Sequence, residues 1–282
     1  MGRVGVAVCT AVLLIGASAC GERSEPTGAD AGLYPVTITT GDRPITISEP
    51  ARRIAVLDAT SEQLVRGLGA GQRIVAATPS LGLGALRRAK PDLIVASDSV
   101  NEHDLSRIAA ATHADVYLAP GDSIRQVERA ITQLGLLTGT PVQARKLVRR
   151  IERKQHAVDA ALATAPLVDV FVDTGLMTTP PDQSLIGDVI REARARNVAG
   201  DAAEAGPVDP AELARLDPDI YAVTSDTKTT LADLRKNPQT RRLRAVRQGR
   251  FVVLDSDLLV PGPQIGEGLD QVARLLHPNA FR

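Results

Sequence analysis

Short apolar runs alternate with helix-like segments along most of the chain. The runs are rich in aliphatic and β-branched residues, and most of them end at polar positions. Such runs are typical of strands buried on both faces of a parallel sheet, with helices crossing over between them. The predicted strands are 53–58, 73–77, 93–97, 115–118, 168–173, 220–225 and 251–254, preceded by a predicted hairpin at 36–47. The pattern therefore predicts an α/β fold with central parallel sheets.

Helix signals lie between these runs. Thr60 is placed to cap a helix, with Gln63 three residues later, and the glycine-rich stretch 67–71 ends that helix. Further apolar periodicity predicts helices at 185–194 and 265–276. The stretch GLGAGQ at 67–72 resembles a dinucleotide-binding motif, but it follows a helix and has no third glycine, so we interpret it as a helix stop.

Two segments of the chain nearly repeat each other. They read ALRRAKPDLIVAS at 85–97 and AELARLDPDIYAVTS at 211–225. In each, a run of helix formers ends at a proline, Pro91 or Pro218, because proline cannot continue a helix. An apolar run and small polar residues follow in both copies. The repetition predicts two similar α/β lobes.

A long amphipathic segment separates the two copies. Thr140, Pro141 and Gln143 combine a cap, a proline at the first helical position and a capping-box residue. The apolar stripe consists of Leu147, Val148, Ile151, Val158 and Leu162. The opposite face is basic and could be interpreted as a nucleic-acid surface, but because no aromatic residues interleave with the basic ones we favour a solvated helix face. The predicted organisation is a first lobe at 36–139, a linking helix at 140–165 and a second lobe at 166–282.

Composition narrows the classes of function. The 282 residues carry 33 basic and 33 acidic side chains, so net charge does not favour nucleic acid or an anionic membrane. Aromatic residues make up 2% of the chain and tryptophan is absent. A binding site here does not rely on stacked rings.

The first twenty residues, MGRVGVAVCTAVLLIGASAC, have the pattern of a secretory signal. One early cation, Arg3, precedes a short apolar core. The residues ASAC at 17–20 resemble a bacterial lipobox, in which the signal is removed and the cysteine is lipidated. We expect a signal peptide at 1–19, a lipid on Cys20 and a tether at 20–35; the alternative is ordinary cleavage nearby. Because Cys9 lies in the removed part, the mature chain would have no cysteine nucleophile or thiolate metal site.

Motifs of catalysis and metal binding are missing from the sequence. It contains no Gly-x-Ser-x-Gly, His-Glu-x-x-His or Walker pattern. Its four histidines, at 103, 113, 156 and 277, lack the spacing of paired metal ligands. We therefore expect no enzyme activity, no metal site and no cofactor.

Several segments in a fixed order resemble class III substrate-binding proteins, the helical-backbone receptors for cobalamin, haem and ferric siderophores that serve ABC importers. The matching segments are PARRIAVLDATSEQLVRGLGAGQRIVA, ALRRAKPDLIVAS, SLIGDVIREARARNVAGDAAEAGPVDPAELARLDPDIYAV and PGPQIGEGLDQVARLL. They span most of residues 50–277. The resemblance implies two lobes joined by one long rigid helix, with a ligand cleft between them.

The resemblance also implies a function and a location. The chain is expected to be a monomeric receptor, anchored by lipid at the extracytoplasmic face of the cell membrane. It would deliver a ferric siderophore, a corrinoid or haem to an ABC permease. Because a stiff helix offers no soft hinge, we expect a small closure of the lobes.

Candidate ligand-binding residues follow from the rule that ligands bind beyond the carboxyl ends of parallel strands. They are Asp58, Ser80, Asp98 and His103 in the first lobe, and Met177, Thr178, Ser225, Lys228 and Asp257 in the second. Each has a plainer interpretation: Asp58 as a helix cap, His103 as a solvated residue of a polar loop, and Met177 as a packing residue. Lys228 either meets an acidic ligand or is an ordinary surface lysine.

The chain departs from the family pattern at three places. The glutamates that contact the transporter are replaced by Gly84 and Ala211, although Glu212 is adjacent. The stretch 78–85 is shorter than usual, and Ala195-Arg196 stands before Asn197 where a glycine pair is common. These departures keep an alternative open: a divergent surface lipoprotein of the same fold, used for sensing or protein contact. An α/β hydrolase is a third hypothesis, but it lacks a nucleophile.

Overall fold

Two parallel sheets organise the chain. The computed structural model describes residues 33–40, 43–77, 82–201 and 207–282, and the elements belong to the compact unit Tyr34–Arg282. The first part of the chain contains β1 (Val36–Thr40), β2 (Arg43–Ile47), β3 (Ile54–Val56), α1 (Ala59–Gly67), β4 (Ile74–Ala77), α2 (Leu83–Ala89), β5 (Leu93–Ser97), α3 (Glu102–Thr112), β6 (Asp115–Ala119) and α4 (Ile124–Leu137). We call the region from β1 to α4 the first lobe.

A long helix, α5 (Pro141–Leu162), leads out of the first lobe. The second lobe contains β7 (Val168–Asp173), α6 (Leu185–Glu192), β8 (Ala195–Asn197), α7 (Pro210–Leu216), β9 (Ile220–Thr224), α8 (Leu231–Lys236), α9 (Arg244–Gln248), β10 (Phe251–Leu254) and α10 (Ile265–Leu276). Short 3-10 turns follow β9 at Ser225–Thr227 and β10 at Ser256–Leu258.

The two sheets share one topology. The first has the order β4-β3-β5-β6 and the second the order β10-β9-β7-β8. Numbered within its own lobe, each sheet therefore runs 2-1-3-4, and every pair in it is parallel. The predicted two-lobe α/β fold is confirmed. The hairpin β1–β2 is antiparallel and packs beside β6 and α4.

The repeated sequence has the same structural role in both lobes. Helices α2 and α7 each end at a left-handed residue, Lys90 or Asp217, directly before the proline. The aspartate after the proline then donates its amide to a carbonyl at the start of the lobe's first strand. These bonds are Asp92 to Arg53 and Asp219 to Asp169, both at 2.8 Å. The Pro-Asp pair thus sets the register between the first and third strands twice.

The apolar core is partly shared between the lobes. One continuous cluster of buried side chains includes residues of both sheets and of α4, α5, α6 and α10. Separate clusters fill the outer faces, under α2 and α3 in the first lobe and under α7 to α9 in the second. Each sheet is therefore covered on both faces, as its continuous apolar strands require.

Helix α5 is packed on both sides. Gly135 of α4 lies so close to it that an added Cβ would be 2.4 Å from the Ala144 Cβ, and at Gly266 of α10 an added Cβ would be 3.1 Å from the Ile151 Cα. Ion pairs Arg150–Glu267 (2.7 Å) and Lys154–Asp270 (3.3 Å) join α5 to α10. The predicted apolar stripe lies in these contacts, with Ile151, Val158 and Leu162 buried.

Some local predictions were wrong. Helix α1 is capped by Asp58 and not by Thr60, because the Asp58 carboxylate accepts from the Ser61 amide. Thr140 precedes α5, but among the described residues its side chain caps no amide, and its hydroxyl is instead 2.8 Å from the Thr138 hydroxyl. The polar loop predicted around His103 is the first turn of α3, capped by Asn101.

A helix that crosses a membrane needs about 20 consecutive, mainly apolar residues. None of the helices, within the part of the chain that the structure describes, combines the length and apolar character needed to cross a bilayer.

Candidate functional site

The carboxyl edges of the two sheets carry the loops that can form a binding site. In an open parallel sheet, ligands bind beyond this edge, where the strand ends release polar backbone and side chains. The first lobe presents the segments after β3, β5 and β6 there, and the second lobe those after its four strands.

Asp58 connects two of the first-lobe segments. Its carboxylate accepts from the Ser61 amide at 2.7 Å and hydroxyl at 2.8 Å, which holds the start of α1. It also accepts from the amide of Ser97, at the end of β5, at 2.8 Å. The plainer interpretation of Asp58, as a helix cap, thus describes the two bonds to Ser61, while the bond to Ser97 joins the cap to the end of β5.

Asp98 and Asp122 form a carboxylate pair in the first lobe. They follow β5 and β6, and their side chains are within hydrogen-bonding reach of each other. Partial burial, the charge of Asp122 and the shared hydrogen bond raise the pKa of Asp98, because one proton between two carboxylates relieves their repulsion. Asp182 and Asp201 form a matching pair in the second lobe, where burial, the hydrogen bond that protonated Asp182 donates to Asp201 and the charge of Asp201 raise the pKa of Asp182.

The end of β7 is organised by Asp173. This buried carboxylate accepts from the amides of Gly175 (2.8 Å) and Met177 (3.0 Å), and from the hydroxyl of Tyr221 (2.8 Å). Burial and the neighbouring Asp173 charge raise the pKa of Tyr221, so its hydroxyl stays protonated and donates. The turn after β7 is therefore fixed from inside the lobe.

Polar residues after β9 and β10 meet beside this turn. The Ser225 and Ser256 hydroxyls are 2.9 Å apart, and the Ser256 amide donates to Ser225 Oγ. Lys228 is exposed and has a left-handed backbone, with φ of 57°. A Cβ built on Gly175 would be 4.0 Å from the Thr227 methyl group, which places the two loops side by side.

The predicted ligand residues fall into four groups. Asp98, Thr178, Ser225, Lys228 and Asp257 lie at the carboxyl edges. Asp58 lies there too but is used as a cap, and Met177 packs against the outer core of the second lobe. His103 is exposed in the first turn of α3. Ser80 and the predicted lipidation residue Cys20 lie outside the described residues.

Sequence reasoning missed four aspartates and one leucine at these edges. Asp122, Asp173, Asp182 and Asp201 have no motif around them, and their pairing depends on loops that are distant in sequence. Leu176, which is 91% exposed beside Met177, was passed over in favour of that neighbour. The Asp-Thr-Gly that leads into it is a turn signal that could have drawn attention to this position.

The two lobes also contact each other directly. The Ile124 amide, at the start of α4, donates to the buried Asp188 carboxylate of α6 at 2.8 Å. Pro261 lies against Gly121, and Pro263 against Gly67, so that an added Cβ on either glycine would be within 3.0 Å of the proline. These contacts, together with α5, join the two lobes.

A cavity of about 970 Å³ lies at the other edge of the second sheet. Its walls come from the end of α5, the starts of β7, β9 and β10, and the C-terminal segment. Two of its polar groups are already paired, since Asp219 contacts Arg244 at 3.1 Å and His277 Nε2 is 3.0 Å from the Ala193 carbonyl. This cavity therefore presents mainly apolar surface and few polar groups that could orient a small molecule.

The described residues contain no group of three or more histidine, cysteine, aspartate or glutamate side chains placed to hold a metal ion. The carboxylates at the two edges are arranged in pairs and caps instead.

Comparisons with known proteins agree with this architecture. The family model described as periplasmic binding protein matches residues 84–258. Helicobacter pylori CeuE in complex with Ni-His has a TM-score of 0.75 at 15% identity, covering 87% of this chain and 89% of that chain. The periplasmic haem-binding protein RhuT from Roseiflexus sp. RS-1 has a TM-score of 0.70 at 19% identity, with coverage of 82% and 99%.

A third similar structure is described by another solute. The ABC-type Fe3+-hydroxamate transport system from Saccharomonospora viridis has a TM-score of 0.69 at 18% identity, with coverage of 86% and 99%. No curated protein matches the chain. At these identities the structural matches show the fold.

Proposed function

The chain belongs to the periplasmic binding protein family, and we propose that it is the extracytoplasmic substrate-binding component of an ABC importer. In this proposal, a ferric siderophore, a corrinoid or haem binds between the carboxyl edges of the two lobes. The protein acts by reversible binding and release, without covalent chemistry, and docks on a permease.

One observation carries the proposal. Two separate parallel sheets with the same strand order present polar loops at their carboxyl edges, and one helix connects them. A single sheet would supply one wall for a ligand, whereas two sheets supply two walls. The neighbours described as haem-binding and Fe3+-hydroxamate proteins support the choice of ligand classes.

The residues proposed to contact the guest are those that the structure leaves at the edges without a packing role. They are Asp98, Thr178, Ser225, Lys228 and Asp257. Asp58 and Asp173 act behind them, because their carboxylates hold the loops through amide hydrogen bonds. His103 and Ser80 stay candidates from the sequence.

A panel of guests tests the function directly. The purified protein is heated with ferrioxamine B, ferrichrome, cyanocobalamin, haemin or a ferric tris-catecholate, and the unfolding temperature is recorded. A guest present at a hundred times its Kd stabilises the folded state by about 2.7 kcal/mol, which gives a clear upward shift. The metal-free chelators serve as controls, and no shift with any of the five guests contradicts the proposal.

Membrane attachment is a separate part of the proposal. We propose that Cys20 carries the lipid anchor and that residues 20–35 form the tether. Cells expressing the full chain are fed an azide-labelled fatty acid, and label on the protein is measured after capture. Cys20→Ser should abolish the label and Cys9→Ser should preserve it, whereas label on the Cys20→Ser protein contradicts the anchor.

A second function of another class is a surface lipoprotein that senses or contacts proteins without serving a transporter. It is favoured by Gly84 in the first turn of α2 and Ala211 in the first turn of α7, where the resemblance implies glutamates. Adding the protein to membranes that hold the cognate permease and ATPase distinguishes the two functions. Guest-dependent stimulation of ATP hydrolysis supports import, and guest binding without stimulation supports the second function.

A further inference from the structure

The turn Thr174–Thr178 has an unusual backbone and an unusual side chain. Three consecutive residues have positive φ: Gly175 at 124°, Leu176 at 54° and Met177 at 61°. Leucine and methionine rarely adopt this region, because the Cβ approaches the following carbonyl oxygen. Leu176 is also 91% exposed, so a strained backbone presents a large apolar side chain to solvent.

Buried hydrogen bonds enforce this conformation. The Asp173 carboxylate, 3% exposed, binds the amides of Gly175 and Met177 and is itself held by Tyr221. At the other end of the turn, the amide and hydroxyl of Thr174 both donate to the Thr178 carbonyl, at 2.8 and 3.1 Å. The position of Leu176 is thus fixed by the lobe.

Met177 points the other way and explains part of the arrangement. It packs against the outer core of the second lobe, and its carbonyl accepts from the Val208 amide at 2.8 Å. Packing the Met177 side chain explains why Met177 itself has a left-handed backbone. It gives no reason for a leucine at 176, where glycine would adopt the same backbone without strain. Strained positions that the surrounding structure maintains are concentrated at functional sites.

Charge is the second independent observation. In the described part of the loops that follow the parallel strands, carboxylates are frequent and cations are few. The loop aspartates are Asp58, Asp98, Asp122, Asp182, Asp201, Asp209, Asp226, Asp255 and Asp257, Asp173 is the last residue of β7, and the one basic residue of these described loops is Lys228; His103 lies in the first turn of α3. Both carboxyl edges therefore repel anions and attract cations.

We propose that Leu176 is a preformed apolar contact for the guest, and that the guest is an uncharged or cationic metal chelate with an aliphatic surface. This inference rests on the proposed function and narrows it. Three hydroxamates neutralise Fe3+, so such chelates are neutral or, with an additional amine, cationic; corrinoids without a free carboxylate share this chemistry. Ferric tris-catecholates carry three negative charges and haem carries two propionates, so both are disfavoured at an aspartate-rich edge.

The first experiment compares guests on the full chain. Titration calorimetry measures the affinity of ferrioxamine B, which is cationic, of ferrichrome and cyanocobalamin, which are neutral, and of haemin and a ferric tris-catecholate, which are anionic. Binding of one of the first three supports the inference. Comparing the two hydroxamates with cyanocobalamin then shows which of these ligand classes binds. Binding of haemin or the catecholate alone overturns it and leaves the proposed function intact, whereas binding of none contradicts the proposed function.

The second experiment tests Leu176 with whichever of the first three chelates binds. Leu176→Gly keeps a backbone that accepts positive φ and removes the apolar side chain, so the unfolding temperature should hold or rise while Kd increases about tenfold. The matched control is Leu167→Ser, at an exposed leucine on the other edge of the same sheet, which should leave Kd unchanged. Wild-type affinity in Leu176→Gly overturns the contact.

Discussion

The two lobes have the same strand order, yet the chain leaves their first strands in different ways. After β3 it enters α1 directly, and Asp58 caps that helix while binding the end of β5 through the Ser97 amide. After β7 it makes the strained turn 174–178, and Asp173 holds that turn while binding β9 through Tyr221. In each lobe, therefore, one aspartate connects the first strand's exit to the third strand.

The difference shows how two lobes with the same topology can present different surfaces at their carboxyl edges. The elements that build the lobes are alike, including the Pro-Asp pairs at Pro91 and Pro218. The specialisation lies in a few residues beyond one strand end, where the second lobe gains a fixed apolar projection at Leu176. Under the proposed function, the sheet topology sets where a guest would bind, and the residues after the strands set what it would contact.

Removing the two exit aspartates tests the comparison and should have the largest effect. Asp173→Ala leaves two amides and the buried Tyr221 hydroxyl without their acceptor, and we expect a loss of about 3 kcal/mol in the free energy of unfolding. Asp58→Ala should lose about 1–2 kcal/mol, since its site is half-buried and water can replace part of the cap. Urea denaturation measures both, and an equal loss in the two variants contradicts the distinction.

Removing the Pro-Asp carboxylates should have a smaller effect that is similar in the two lobes. The Asp92 side chain accepts from the amides of Arg52 and Arg53, and that of Asp219 from the amide of Asp169 at 3.3 Å. Because both sites are solvent-accessible, we expect Asp92→Ala and Asp219→Ala each to cost about 1 kcal/mol in urea denaturation. A decrease in the free energy of unfolding in only one of the two variants would contradict a shared role for the repeated sequence. The control is Asp257→Ala, at an exposed position.

The junction of the lobes provides the smallest predicted effect, a dependence on pH. Burial, followed by the charge of Glu152 on α5, raises the pKa of Glu128 on α4; Glu192 on α6 raises it further, and Arg125 lowers it. The folded state therefore binds this proton more tightly than the unfolded chain, whose glutamate pKa is near 4.5. Its contribution to stability is present at low pH and is lost as the pH rises toward neutrality.

Glu128→Gln isolates this contribution. We expect the variant to be more stable than the wild type at pH 7.5, by less than about 1 kcal/mol because the site is partly solvated, and the gain to shrink at pH 5. Urea midpoints at both pH values measure the difference, with exposed Glu212→Gln as the control. A gain that grows as the pH falls has the wrong sign and contradicts the interpretation.

Much of the fold could be predicted from the sequence because its signals are local. Strands β7 and β10 and helix α10 have the predicted bounds, and the proline-terminated repeats gave the two lobes. The cap of α1 could not be predicted from local sequence, since Asp58 and Thr60 both suit the position. The Ser97 amide, 39 residues away, favours Asp58, and no local pattern contains that contact.

The candidate site was predictable in location and less so in residues. Polar strand ends identified Asp98, Ser225 and Asp257, because strand ends are visible in an apolar pattern. The left-handed backbone of Leu176 depends on a carboxylate that Tyr221 holds from another strand. Leucine carries no preference for that conformation, so beyond the Asp-Thr-Gly turn signal the sequence gave no indication that Leu176 is exposed.

The bond between Asp188 and the Ile124 amide has a consequence for how guests are discriminated. It fastens the N-terminus of α4 to the second lobe with a buried carboxylate, at the end of the helix where negative charge is favoured. Helix α5 also packs between α4 and α10. Under the proposed function, we therefore expect the protein to lose little conformational entropy when a guest binds. Selectivity among chelates would then depend mainly on the free energy of removing water from each chelate as it enters a rigid site. The order of their affinities would follow the order of those desolvation free energies.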